Sequence, residues 1–201
     1  MVPESATVRR RVVGDREREI LDATLTVLAE SGYDRLTMDA VAAEAKASKA
    51  TLYRRWSSKP QLVVDAVCSH KEHPPTPDTG TLRGDLLAAY CGLGGLGDAR
   101  SMAVLAAVVT AMARDAEFAE IYRRDFIGPK QSTMRSVLER ARARGEICDE
   151  VDIDLVAPAL PGIVLHRVFL LGDEATPELV ARVIDQIILP ACSRSRTSED
   201  S

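Results

Sequence analysis

Thr37–Lys59 reads TMDAVAAEAKASKATLYRRWSSK, and its interpretation decides the rest of the chain. Thr37 is a helix N-cap, with Asp39 favourably placed in the first turn, and Val41 and Ala42 supply a small buried side. Ala45-Lys46-Ala47 reads as a tight turn, after which Ser48 caps a second short helix with Ala50 and Leu52 inward. Its other face carries Lys49, Thr51, Tyr53, Arg54 and Arg55. Trp56, the single tryptophan, is expected to plug the core where that helix ends. A short helix that is apolar on one face and basic on the other suits insertion into a DNA major groove.

Upstream, Asp15 predicts the N-cap of a helix running to Ser31. Its Leu21, Leu25 and Leu28 share a face with Ile20, Thr24 and Val27. Gly32 suits the left-handed position that ends helices, and Leu36 is expected to pack back. Residues 1–14 hold Arg9, Arg10 and Arg11 without periodicity and read as a flexible basic arm. Downstream, Ser58 and Gln61 form an S-x-x-Q capping box, with Pro60 in the first turn. Leu62, Val63, Ala66 and Val67 carry this fourth helix toward Lys71, and His73-Pro74-Pro75-Thr76-Pro77 breaks the pattern.

Composition sets bounds on the whole. In 201 residues, 46% are apolar, enough for a core, and only 4% are aromatic, so that core must be mainly aliphatic. The net charge of −4 argues by itself against nucleic acid, but charge is unevenly distributed. Residues 1–60 carry 11 Lys/Arg against 9 Asp/Glu and the remainder 15 against 21, so only the front is a candidate for phosphate contact. Apolar runs fall short of the roughly 20 residues a membrane helix needs. The three arginines are followed by no apolar segment of a secretory signal, so a cytoplasmic location without membrane contact is expected. Cys68, Cys91, Cys148 and Cys192 are far apart and lack CxxC spacing, which predicts free thiols rather than a metal or redox centre.

The second half is read as all helix. Leu82–Leu96 forms one, and Arg100–Arg114 forms another whose apolar run Met102–Val109 implies burial on most sides. Ala116–Arg144 is long and interrupted at Gly128-Pro129, and Asp152–Leu171 bends at Pro158 and Pro161. Thr176 caps a last helix with Pro177 at its first position. The expectation is an all-α chain of about nine helices. A three-helix helix-turn-helix domain spans residues 15–62, a helical effector-binding and dimerisation domain spans 63–190, and a polar tail spans 191–201.

Four features in order carry a family resemblance: the helix ending at Gly32-Tyr33; Leu36-Thr37-Met38-Asp39-Ala40-Val41-Ala42; Ser48-Lys49-Ala50-Thr51-Leu52-Tyr53; and Trp56 with Ser58-Lys59. With them residues 15–67 resemble the DNA-binding domain of the TetR (TetR/AcrR) family of transcriptional regulators. Trp56 stands where many members have Phe, and Arg54-Arg55 replaces the commoner His-Tyr, which bears on operator sequence rather than binding mode. The resemblance implies base-edge contact by Lys49, Ala50, Thr51 and Arg54, and phosphate contact by Thr37, Ser48, Tyr53, Arg55 and Lys59. It further implies a homodimer through the last two helices on palindromic double-stranded DNA, and repression relieved by a small hydrophobic effector. Candidate effector liners ahead of Asp115 are Leu86, Tyr90, Met102, Leu105, Val109 and Met112. Those after it are Phe118, Tyr122, Phe126, Met134 and His166, each of which also reads as ordinary core.

Two rival readings are weaker. A helical-scaffold enzyme lacks support because His70, His73 and His166 form no H-x-x-x-H pair, and neither a phosphate loop nor G-x-S-x-G is present. A small-molecule carrier without DNA recognition leaves the basic helix unexplained. No catalytic residue, cofactor or metal is expected.

Overall fold

The computed structural model describes residues 4–69, 76–90 and 99–193, with side chains described from Gly14 onward. The chain divides into two compact units, Met1–His73 with Ala99–Ile127, and Pro74–Asp98 with Gly128–Ser201. Residues 99–127, expected in the C-terminal domain, therefore pack with the N-terminal helices. The His73–Pro77 joint lies largely outside the described residues, as do His70, Cys91, Gly92–Gly97 and the tail beyond Ser193.

The first unit holds α1 (Glu4–Arg35), α2 (Met38–Glu44), α3 (Lys49–Arg55), α4 (Lys59–Ser69), α6 (Ala99–Arg114) and α7 (Ala116–Tyr122). Helix α1 begins well ahead of Asp15, so its backbone is helical where an arm without structure was expected. An interior Gly14 costs a helix only about 1 kcal/mol, too little to end it. The break comes instead at Gly32, with φ 75 and ψ 168, where any L side chain would be strained. Leu25, Leu28, Leu36, Val41, Leu52, Trp56, Leu62 and Val63 are buried together, so the expected inward faces of α1 to α4 do form one core.

Helix α6 departs from expectation. Only Ala107, Val108 and Ala111 are buried, and Val109 is 53% exposed, so its apolar run is covered along one stripe rather than on most sides. That stripe lies against α1, with Arg100 donating to the Asp22 carbonyl at 3.2 Å and Thr26 Oγ1 at 2.9 Å. Arg114 pairs with Asp34 at 2.6 Å at the other end.

The second unit holds α5 (Leu82–Tyr90), α8 (Gly128–Ala143), α9 (Ile153–Val156), α10 (Ala159–Leu171), α11 (Pro177–Val183) and α12 (Leu189–Ser193). Two wider π turns, Arg123–Ile127 and Ile184–Ile188, directly precede the segments carrying Pro129 and Pro190. A proline lacks the N–H of the regular ladder, and a one-turn widening accommodates that loss. Pro158 separates α9 from α10 by a turn, without such a widening. Counting segments joined by these interruptions as one, the described residues form nine helical rods without strands, as expected.

Asp85 is fully buried beneath the start of α5. It accepts hydrogen bonds from Thr79 N at 2.6 Å, Thr79 Oγ1 at 2.8 Å and Arg144 at 3.1 Å. Burial pushes its carboxyl up, and these donors outweigh that and hold it below the usual range. Glu146 adds an acceptor for Leu82 N at 2.7 Å and pairs with Arg144 at 2.6 Å. The loop after α8 is thereby tied to α5.

The stretch Ile153–Leu171, with mean hydropathy 1.6, is long and apolar enough by length and composition to cross a membrane. The same stretch contains His166, Arg167 and the break at Pro158. Its exposed Leu155, Phe169, Leu170 and Leu171 suit a surface covered by another helix, as does Ile187 on the neighbouring rod.

Candidate nucleic-acid interface

The α2–α3 corner is built from two caps and one strained residue. Thr37 Oγ1 accepts from Ala40 N at 3.1 Å, and Ser48 Oγ accepts from Thr51 N at 3.2 Å, as predicted for both N-caps. Between them, Lys46 N donates to Ala43 O at 3.1 Å and Ala47 N to Ala42 O at 2.8 Å, a Schellman closure of α2. Its left-handed residue is Lys46, with φ 49, where glycine is usual. Arg16 donates to the Lys46 carbonyl at 2.6 Å, so α1 braces the turn from outside.

Trp56 ends α3, buried to 1% exposure, and its Nε1 donates to Asp65 Oδ2 at 2.9 Å. The other oxygen of Asp65 accepts from Gln61 Nε2 at 2.7 Å. The predicted capping box is thus half formed. Ser58 Oγ accepts from Gln61 N at 3.4 Å, but the Gln61 side chain turns forward to Asp65 rather than back to Ser58. Asp65, which the sequence reading passed over, links the end of α3 to the middle of α4.

The expected DNA-contacting residues all come from α3 and the starts of α2 and α4. Thr37, Ser48, Lys49, Ala50, Tyr53, Arg54 and Arg55 are exposed, and Thr51 and Lys59 are half-buried. Lys49 pairs with Asp39 at 2.6 Å and Arg55 with Glu17 at 2.8 Å, so two cations of this face are held by carboxylates of α2 and α1. Those contacts stabilise the charged forms, and both pKa values are raised, mainly by the carboxylate hydrogen bonds. Arg54 stands exposed beside Tyr53, itself 56% exposed.

Lys59 is placed differently. Its ammonium sits over the Tyr33 ring, 4.1 Å from the centroid, and burial pushes its pKa down against the pull of Asp34 and Asp115. Tyr33 also packs on Phe118, at 4.9 Å between centroids, and Phe118, Tyr122 and Phe126 stack in series at 5.7 and 4.7 Å.

The expected effector liners are distributed over both units. Met102, Leu105, Val109, Met112, Phe118, Tyr122 and Phe126 belong to the first, and Leu86, Tyr90, Met134 and His166 to the second. Phe118, Tyr122, Phe126, Leu86 and Met134 are buried in their own cores, whereas Val109 and His166 are exposed. Burial pushes the Tyr90 hydroxyl up to about 12. A shallow depression of about 80 Å³ lies elsewhere, lined by Ile163, Arg167, Leu179, Arg182, Val183, Gln186 and Ile187 of α10, α11 and the π turn beyond it.

Comparisons with known proteins agree with this architecture. Residues 20–66 match the family described as "Bacterial regulatory proteins, tetR family", and residues 76–187 match "Tetracyclin repressor-like, C-terminal domain". An uncharacterised HTH-type transcriptional regulator of Mycobacterium tuberculosis is 37% identical over 187 residues, covering 90% of this chain and 89% of the relative. The DNA-binding transcriptional repressor TetR of Mycobacteroides abscessus is 35% identical over 176 residues, covering 87% and 92%. Among solved structures, the TetR family transcription regulator SCO0332 is 28% identical with a TM-score of 0.65, covering 88% of this chain and 98% of its own. The chain therefore belongs to the tetR family of bacterial regulatory proteins, and is a DNA-binding transcriptional regulator rather than an enzyme.

Proposed function

We propose that the protein is a homodimeric repressor of the cytoplasm that binds a palindromic operator and is released by a small hydrophobic effector. The carrying observation is the doubly capped α3, anchored by Trp56, with Lys49, Ala50 and Arg54 exposed and Thr51 half-buried among them. These four read base edges, Arg54 by a bidentate pair with guanine and Ala50 or the Thr51 methyl by contact with a thymine methyl. Thr37, Ser48, Tyr53, Arg55 and Lys59 hold phosphates and fix register. The repressor role is supported by the similarity to the Mycobacteroides abscessus repressor.

The front of the chain carries only a small excess of positive charge, so one copy holds DNA weakly and two half-sites must be engaged together. The exposed Leu155, Phe169, Leu170, Leu171 and Ile187 favour dimerisation through α10 and the α11–α12 rod. The effector is assigned to the middle helices, with Leu86, Tyr90, Met102, Leu105, Val109, Met112, Phe118, Tyr122, Phe126, Met134 and His166 as the set from which its contacts are drawn. It acts by preferring one separation of the two reader helices, since half-sites lie about 34–36 Å apart. Gel shifts over the promoter of its own gene at physiological salt test the reading. A single strongly bound palindromic fragment is expected, and equal affinity for all fragments overturns it.

A further inference from the structure

Cys148 and Cys192 are 44 positions apart in sequence and adjacent in space. Cys148 lies in the loop that follows α8, after the left-handed Gly145 (φ 79), and Cys192 lies in α12. The Cys148 N–H donates to the Cys192 carbonyl at 3.0 Å, so the two backbones are in direct contact. Covalent geometry and one bond of that length keep the two Cα atoms within about 7 Å of each other. That bound overlaps the window of about 4.4–6.8 Å that a disulfide spans. Both cysteines are free thiols.

We propose that Cys148 and Cys192 form a redox-sensitive pair, closing to a disulfide when a hydroperoxide reaches the protein. The two differ in access as such a pair requires. Cys148 is partly exposed and meets the oxidant, whereas Cys192 has 0% exposure and is reached only from its neighbour. The Cys148 sulfur attacks the peroxide O–O bond, becoming a sulfenic acid as one water or alcohol leaves. The Cys192 thiol gives up its proton and attacks the Cys148 sulfur; the S–S bond forms and the S–O bond breaks, releasing water. Two thiols are oxidised and one peroxide is reduced. Burial pushes the Cys192 thiol up, Cys148 adds to that, and the Arg142 guanidinium pulls it down. Cys192 therefore waits as the protonated partner, and Arg142, which also donates to the Val151 carbonyl, flanks the same loop. The product ties the α8–α9 loop to the last helix. CxxC spacing is absent, so only the fold brings this pair together.

The test uses the full chain with Cys68→Ser and Cys91→Ser, treated with hydrogen peroxide and then assayed for thiols and intact mass. Loss of both thiols, a mass lower by two hydrogens, and full reversal by dithiothreitol are expected. Adding Cys192→Ser should leave a Cys148 sulfenic acid that dimedone traps. Retention of both thiols, oxygen addition without a crosslink, or crosslinked dimers would overturn the pair. Peptide mapping of the peroxide-treated unsubstituted chain gives an independent readout: a linked Cys148–Cys192 peptide supports the proposal, and its absence refutes it.

Discussion

The Tyr33 hydroxyl donates to Asp115 Oδ2 at 2.6 Å, while the other oxygen of Asp115 accepts from Phe118 N at 3.0 Å and caps α7. One carboxylate thus closes a helix and fastens it to the end of α1. The Tyr33 ring also carries the Lys59 ammonium, so α1, α4 and α7 meet at a single side chain.

Hydrogen bonds from Phe118 N and then Tyr33 hold the Asp115 carboxyl below its usual range. A carboxylate whose folded pKa is depressed contributes stability above its unfolded value of about 3.9 and loses it as pH falls through the folded value. Acid denaturation should therefore be less steep in Asp115→Asn than in the parent below about pH 4. Tyr33→Phe should cost about 1.5–3 kcal/mol near neutral pH, the range of a hydrogen bond to a charged group. Urea melts at several pH values check both, and an unchanged midpoint in Tyr33→Phe would contradict the role given to this bond.

Lys46 occupies the left-handed C′ position of α2, whereas α8 uses Gly145 for the same closure, with Gly145 N and Glu146 N donating to Arg142 and Ala141 carbonyls. An L residue there costs about 1–2 kcal/mol, and glycine returns part of that as chain entropy. Lys46→Gly should raise stability by about 0.5–1 kcal/mol. A lower thermal midpoint would show that the Lys46 side chain contributes more than its backbone costs.

Arg54 and Lys59 should separate in DNA binding. Arg54→Ala is expected to remove about 1–3 kcal/mol of discrimination at one base pair and leave the others unchanged. Lys59→Ala should weaken all sequences alike, and should also lower stability by roughly 0.5–1 kcal/mol through loss of the contact with Tyr33. Competition gel shifts with single-base operator variants distinguish them. A change of base preference in Lys59→Ala would reverse the assignment.

Leu170 is 73% exposed on α10. If that face joins two copies, Leu170→Asp should convert a dimer into a 21.8 kDa monomer. Light scattering after size exclusion reads the mass directly, and a substituted chain that stays dimeric would place the interface elsewhere.

The helix ends of both units were legible in the sequence because their signals are local. Thr37, Ser48 and Thr176 cap helices through their own neighbours, and Gly32, Gly145 and Gly172 end them by a backbone preference that no distant contact alters. Hydrophobic spacing likewise marked Leu21, Leu25 and Leu28 as one buried face. The start of α1 was misread because Asp15 follows an aperiodic stretch and looked like an N-cap, although the cost of Gly14 is within what a long helix absorbs.

Long-range chemistry was not legible. The basic face Lys49–Arg55 was visible as residue types, but its pairing to Asp39 and Glu17 depends on how α2 and α1 cross it. The Trp56–Asp65 bond, the Lys59–Tyr33–Asp115 junction and the Cys148–Cys192 approach join positions whose separation in sequence carries no periodic signal. Burial on α6 also had to come from the fold, since an apolar run states what can be buried and only packing states which side is. By itself, then, the sequence determined the helices, their ends and the reader motif, because those follow from interactions within a few residues. Tertiary structure alone decided which charges are held, which cysteine backbones touch and which apolar faces stay open, because those depend on elements that touch only after the chain has closed on itself.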